Sequence, residues 1–81
     1  MPRSVFLADS SVVATVVPSP NHGERKDGRQ PDMILLHYTG MRDANAALER
    51  LTDTASEVSA HYLVFEDGRI VQMVEESRRA W

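Results

Sequence analysis

Apolar residues along this chain come in short stretches separated by polar, Gly- and Pro-marked segments. Val12-Val13-Ala14-Thr15-Val16-Val17 is rich in β-branched residues and stops at Pro18, which predicts a short strand. Residues 18–31 mix Pro, Gly and charge without a period, which predicts a loop. Met33-Ile34-Leu35-Leu36 is a continuous apolar run of the buried-strand kind and leads into His37-Tyr38-Thr39-Gly40. Asp43 is placed to cap a helix beginning at Ala44, with Ala47, Leu48 and Leu51 on one face. Arg50 complements the negative end of that helix, and residues 53–57 close it. Residues 58–65 and 70–74 then read as two strands around Asp67-Gly68, a hairpin signal, followed by a charged tail over 75–81. Along the first of these strands, alternation puts Val58, Ala60, Tyr62 and Val64 on one face and Ser59, His61, Leu63 and Phe65 on the other. Strand, helix and hairpin together predict an α/β (α+β) layer, a mixed β-sheet with helices packed on it.

Composition narrows the picture. A chain of 81 residues makes at most one small domain, which buries only about 60% of its unfolded surface. It has no cysteine, which excludes disulfides, a thiolate nucleophile and a Cys-based zinc site. Its net charge of −3 argues against a protein built to bind nucleic acid. The Glu24-Arg25-Lys26 stretch is mixed in sign and too brief for such a patch. No apolar run reaches the roughly 20 residues of a membrane span. The N-terminal apolar stretch is broken by Asp9-Ser10-Ser11 and makes a poor secretory signal. Cytoplasmic is the default reading, with a periplasmic location as the alternative. Trp81, the only tryptophan, is the last residue. A domain that stops on its largest apolar side chain looks interrupted.

The candidate chemistry rests on histidine. His37 follows an apolar strand and precedes a Thr-Gly turn, a place where a scaffold can hold an imidazole rigidly. It reads either as a zinc ligand or as a core histidine hydrogen-bonded to backbone. His61 could reach the same region if the strand over 58–65 lies beside residues 33–38, and His22 reads as a solvated loop residue. The carboxylates read as solvated faces and turns. No serine has a nucleophile-elbow signature, and no glycine pattern cradles phosphate.

Several strings taken together resemble one family. They are Ser19-Pro20-Asn21, Pro31-Asp32-Met33-Ile34-Leu35-Leu36-His37-Tyr38-Thr39-Gly40, Val58-Ser59-Ala60-His61-Tyr62-Leu63-Val64, Asp67-Gly68-Arg69-Ile70-Val71-Gln72-Met73-Val74 and Arg79-Ala80-Trp81. In this order they are similar to the zinc-dependent N-acetylmuramoyl-L-alanine amidases of the second type, whose fold is shared by peptidoglycan recognition proteins. The resemblance runs over residues 18–81 and leaves 1–17 as an N-terminal segment. It implies hydrolysis of the amide between N-acetylmuramic acid and L-alanine, in peptidoglycan or in muropeptides. The implied cofactor is zinc, which activates a bound water and polarises the scissile carbonyl. His37 would be a metal ligand. His61 would support the site or the fold without touching the metal. Tyr38 and Trp81 would border the substrate groove, and Asp67-Gly68 would form the family's hairpin turn.

The same resemblance places the second His ligand, the Asp ligand and the catalytic Glu beyond residue 81. No catalytic residue is therefore expected within these 81 residues, which read as the N-terminal part of a domain continuing past the chain end. With one ligand, the chain alone should bind zinc weakly and hydrolyse nothing. Its partner would then be the rest of the same protein. Two other readings remain. One is a non-catalytic peptidoglycan-binding module that uses the same groove. The other is a structural α+β domain in which His37 and His61 are core residues.

Overall fold

The computed structural model describes residues 6–37 and 43–81. Along them run β1 (Thr15–Val16), β2 (His22–Glu24), α1 (Ala44–Thr52), β3 (Tyr62–Val64), β4 (Ile70–Gln72) and β5 (Arg78–Ala80). Single 3-10 turns occur at Lys26–Gly28 and Thr54–Ser56. The result is a small mixed α/β arrangement with one α-helix and two small sheets among the described residues.

Local chemistry sets the helix and the hairpin where the sequence predicts them. The Asp43 carboxylate accepts from the Ala46 N–H at 2.8 Å, satisfying one of the free donors of the first turn of α1. At the hairpin, Gly68 takes a left-handed backbone with φ 90, which costs glycine nothing. The Phe65 N–H donates to the Arg69 carbonyl at 2.8 Å and closes the turn. β3 and β4 are thus antiparallel, with Leu63 opposite Val71. β1 adds to the other side of β4 in parallel, Thr15 opposite Val71.

The core sits between this sheet and α1. Ala47, Leu63, Val71, Met73 and Val74 are buried, with Leu48, Leu51, Val17, Ala60, Phe65 and Ala80 packed around them. The alternation read for β3 holds at Leu63, which is buried, and at Val64, which faces solvent. It fails at Ala60, which also packs on the core because the extended ladder begins only at Tyr62. Gln72 is fully buried among these apolar groups with its amide satisfied. Its Nε2 donates to Asp9 Oδ2 at 2.6 Å and to the Val74 carbonyl at 3.0 Å, and its Oε1 accepts from the Asp9 N–H.

Three expectations are corrected. Residues 33–36 form no strand, and their side chains are 70–89% exposed. An apolar run becomes a strand only when other strands supply its hydrogen bonds, and no described strand pairs with this one. The loop over 18–31 instead contains β2, and the tail over 75–81 contains β5; the two pair antiparallel, His22 opposite Ala80. Each is three residues long and finds its partner more than 50 residues away, so neither carries a local period.

Candidate functional site

His37 lies at the end of a described segment without regular structure, and its side chain is exposed. The core-histidine reading therefore fails for it, and so does the picture of an imidazole presented at the end of a buried strand. Tyr38, read as a groove residue, lies outside the described residues.

His61 does a different job. Its Nε2 stands 2.8 Å from the Arg78 carbonyl, a group that only accepts, so this nitrogen carries the proton and donates. The Arg25 guanidinium lies 3.4 Å from the same nitrogen, which then has no lone pair to offer it. The His61 carbonyl in turn accepts from the Met73 N–H at 2.8 Å. His61 thus ties the segment before β3 to β5 by its ring and to the end of β4 by its backbone. No described strand sets residues 33–37 beside β3.

Ser19 and Asn21 form a buried hub that the sequence analysis quoted only as part of a string. Ser19 Oγ donates to the Leu51 carbonyl, one of the acceptors left free at the end of α1. Asn21 Nδ2 donates to the carbonyls of Asp53 and Val58, both at 2.8 Å, holding the turn that follows the helix. The Asn21 carbonyl accepts from Ser59 Oγ and from the Trp81 N–H. The signal was present as two small polar residues flanking a proline, but their partners are more than 30 residues away. Trp81 is about half exposed. Its indole nitrogen comes within 3.4 Å of where a side chain on Gly23 would begin, so the ring lies against β2. His22 is not the solvated residue expected. It is half-buried in β2, with Nδ1 enclosed and without a partner among the described groups.

A second polar cluster sits beside the larger sheet. The Tyr62 hydroxyl donates to Glu76 Oε2, and the Glu76 N–H donates to Asp9 Oδ2 at 3.0 Å. Burial pushes the Tyr62 hydroxyl well above its ordinary value, reinforced by the hydrogen bond to Glu76 and by the negative charges of Glu76 and Asp9. A phenol held neutral in this way is a fixed donor.

A zinc centre takes three or four protein ligands. Among the described residues, no three His, Asp or Glu side chains gather closely enough to hold a metal ion. The residues present do not by themselves fit a zinc ion, and no catalytic step through one follows from them. Among the described residues no helix is long and apolar enough to cross a membrane.

The sequence model of one family, described as N-acetylmuramoyl-L-alanine amidase, matches residues 27–81. The chain belongs to the N-acetylmuramoyl-L-alanine amidase family. Among curated proteins, it is similar to the 1,6-anhydro-N-acetylmuramyl-L-alanine amidase AmpD of Citrobacter freundii, at 33% identity over 80% of this chain and 44% of that protein. AmpD of Salmonella typhimurium is 32% identical over 86% of the chain and 46% of its own length. AmpD of Escherichia coli is 32% identical over 86% of the chain and 48% of its own length. The chain thus spans a little under half the length of these relatives. No solved structure matches it. The family match includes His37, His61 and Trp81, while the Ser19–Asn21 hub lies upstream of it.

Proposed function

We propose that this member of the amidase family contributes the N-terminal part of a zinc-dependent N-acetylmuramoyl-L-alanine amidase site. The supporting observation is the family match over 27–81, which contains His37, together with relatives of which the chain covers a little under half. In this reading His37 supplies one metal ligand, and the other ligands and the catalytic acid–base group come from sequence that these residues do not contain. Trp81, half exposed at the end of β5, borders the groove that takes the muramyl-peptide. His61 holds β5, and with it Trp81, in position through the Arg78 carbonyl. The substrate is the amide between N-acetylmuramic acid and L-alanine. The names of the relatives make the 1,6-anhydro form of the muramyl group the first substrate to test.

The experiment joins this chain to the part of the Citrobacter freundii amidase that the alignment leaves uncovered, and measures release of L-alanyl peptide from anhydro-muropeptide. Hydrolysis by the fusion, with none by the chain alone, is the expected result. A folded fusion that binds muropeptide saturably and cleaves none would overturn the enzyme reading in favour of a non-catalytic peptidoglycan-binding module.

A further inference from the structure

Five cationic side chains border two clefts at one end of the smaller sheet, with Arg78 and Arg79, successive residues of β5, on opposite faces. Asp27 and Gly28 both take left-handed backbone, with φ 55 and 63, and the Arg29 N–H closes back on the Lys26 carbonyl at 3.1 Å. This reversal gathers Arg25, Lys26 and Arg29. The β2–β5 register sets Glu24 opposite Arg78 and Gly23 opposite Arg79, delivering the last two from 50 residues away. Between them lies a cleft of about 470 Å³ lined by Arg25, Arg29, Arg78 and Glu24, with an adjoining one of about 310 Å³ lined by Arg25, Lys26, Arg29 and Arg79.

The cluster is not a by-product of a basic composition. The four cations lining the smaller cleft, with no carboxylate among them, make a local charge of +4 in a chain of net charge −3, so the other residues together carry −7. Arg25 is also fixed in place, its Nε donating to the Glu76 carbonyl at 2.9 Å. That partner is a backbone oxygen, so the guanidinium keeps its full positive charge for the cleft. Guanidinium groups match carboxylate and phosphate oxygens with paired hydrogen bonds.

We propose that the smaller cleft, lined by Arg25, Lys26, Arg29 and Arg79, binds a small ligand carrying at least two anionic groups, carboxylate or phosphate. His37 is not among its lining residues, and the proposal stands whether or not the amidase reading holds. An extended nucleic acid fits less well, because the positive charge is confined to a cleft on an otherwise acidic chain.

The test is calorimetric titration of the full chain, without added metal, with the dipeptide Glu-Glu and with pyrophosphate, using acetate as the single-charge control. Saturable binding of either dianion that weakens as salt is raised, with none for acetate, is expected. Saturation by Glu-Glu identifies a carboxylate-bearing peptide as the ligand class, and saturation by pyrophosphate alone identifies a phosphate. Arg29 and Arg79 are exposed, and Arg29→Gln with Arg79→Gln should weaken binding about tenfold or more while leaving the melting temperature unchanged. If that pair disturbs the fold, Arg29→Gln alone makes the same comparison on a turn residue. Absence of saturable binding by both dianions, or binding that the folded variant retains in full, overturns the proposal.

Discussion

Removing the Asn21 side chain tests the fold where it depends on a single amide. Asn21 is 1% exposed, and its Nδ2 donates to the Asp53 and Val58 carbonyls at 2.8 Å each. The two acceptors are not equally dependent on it. The Asp53 carbonyl also accepts from the Ser56 N–H at 3.1 Å, so Asn21→Ala costs it one bond of about 1 kcal/mol. The Val58 carbonyl has no other described donor, and stranding it costs about 1–3 kcal/mol. Against this, Asn21 Oδ1 is itself buried without a partner, and the truncation removes that unsatisfied acceptor. The net loss is then about 2 kcal/mol. A domain of this size has a total stability of about 4–12 kcal/mol, and a loss of that size lowers its melting temperature by about 10 °C. Asn21→Asp should be worse at neutral pH, because an anionic oxygen replaces the donor and faces two carbonyl oxygens. Its penalty should shrink as pH falls, since a protonated carboxyl can donate to one of them. Urea and thermal unfolding followed by circular dichroism read both variants. An Asn21→Ala loss below about 0.5 kcal/mol, or an Asn21→Asp protein as stable as Asn21→Ala at neutral pH, would refute the reasoning.

Two further outcomes follow from side chains with defined partners. The Tyr62 hydroxyl is held neutral in the fold and ionises near pH 10 when unfolded, so its stabilisation is complete below about pH 10 and is lost as pH rises above that. Tyr62→Phe should cost about 1 kcal/mol at pH 7 and should flatten the alkaline fall in stability; parallel stability–pH curves for the two proteins would rule this out. Asp43→Ala removes the acceptor for the Ala46 N–H and should lower stability by about 1 kcal/mol, with Asp43→Asn recovering most of it. Equal melting temperatures for all three proteins would show that the cap contributes nothing.

What could be read from the sequence was what is decided within a few residues. Asp43 three positions before the Ala46 N–H, and Gly68 in a four-residue turn, carry their structural reason with them. β2 and β5 are three residues long, and each exists only because the other, far along the chain, supplies its hydrogen bonds. Ser19 and Asn21 belong to the same class, since their role is set by carbonyls of the turn after α1. Met33, Ile34, Leu35 and Leu36 encode a demand for burial that the described residues leave unmet. The family was legible because its strings keep their order even where the contacts they serve are distant. The cationic cleft was not, because Arg25, Lys26 and Arg29 look mixed and brief until β5 brings Arg78 and Arg79 beside them.

The central claim is that His37 is one ligand of a zinc site completed by sequence outside these residues. Metal analysis of the purified fusion with the uncovered part of the Citrobacter freundii amidase tests it most directly, compared with the same fusion carrying His37→Ala and with both proteins shown to be folded. One zinc per fusion and a large loss of zinc in His37→Ala is the predicted result. Equal zinc in the two proteins would contradict it.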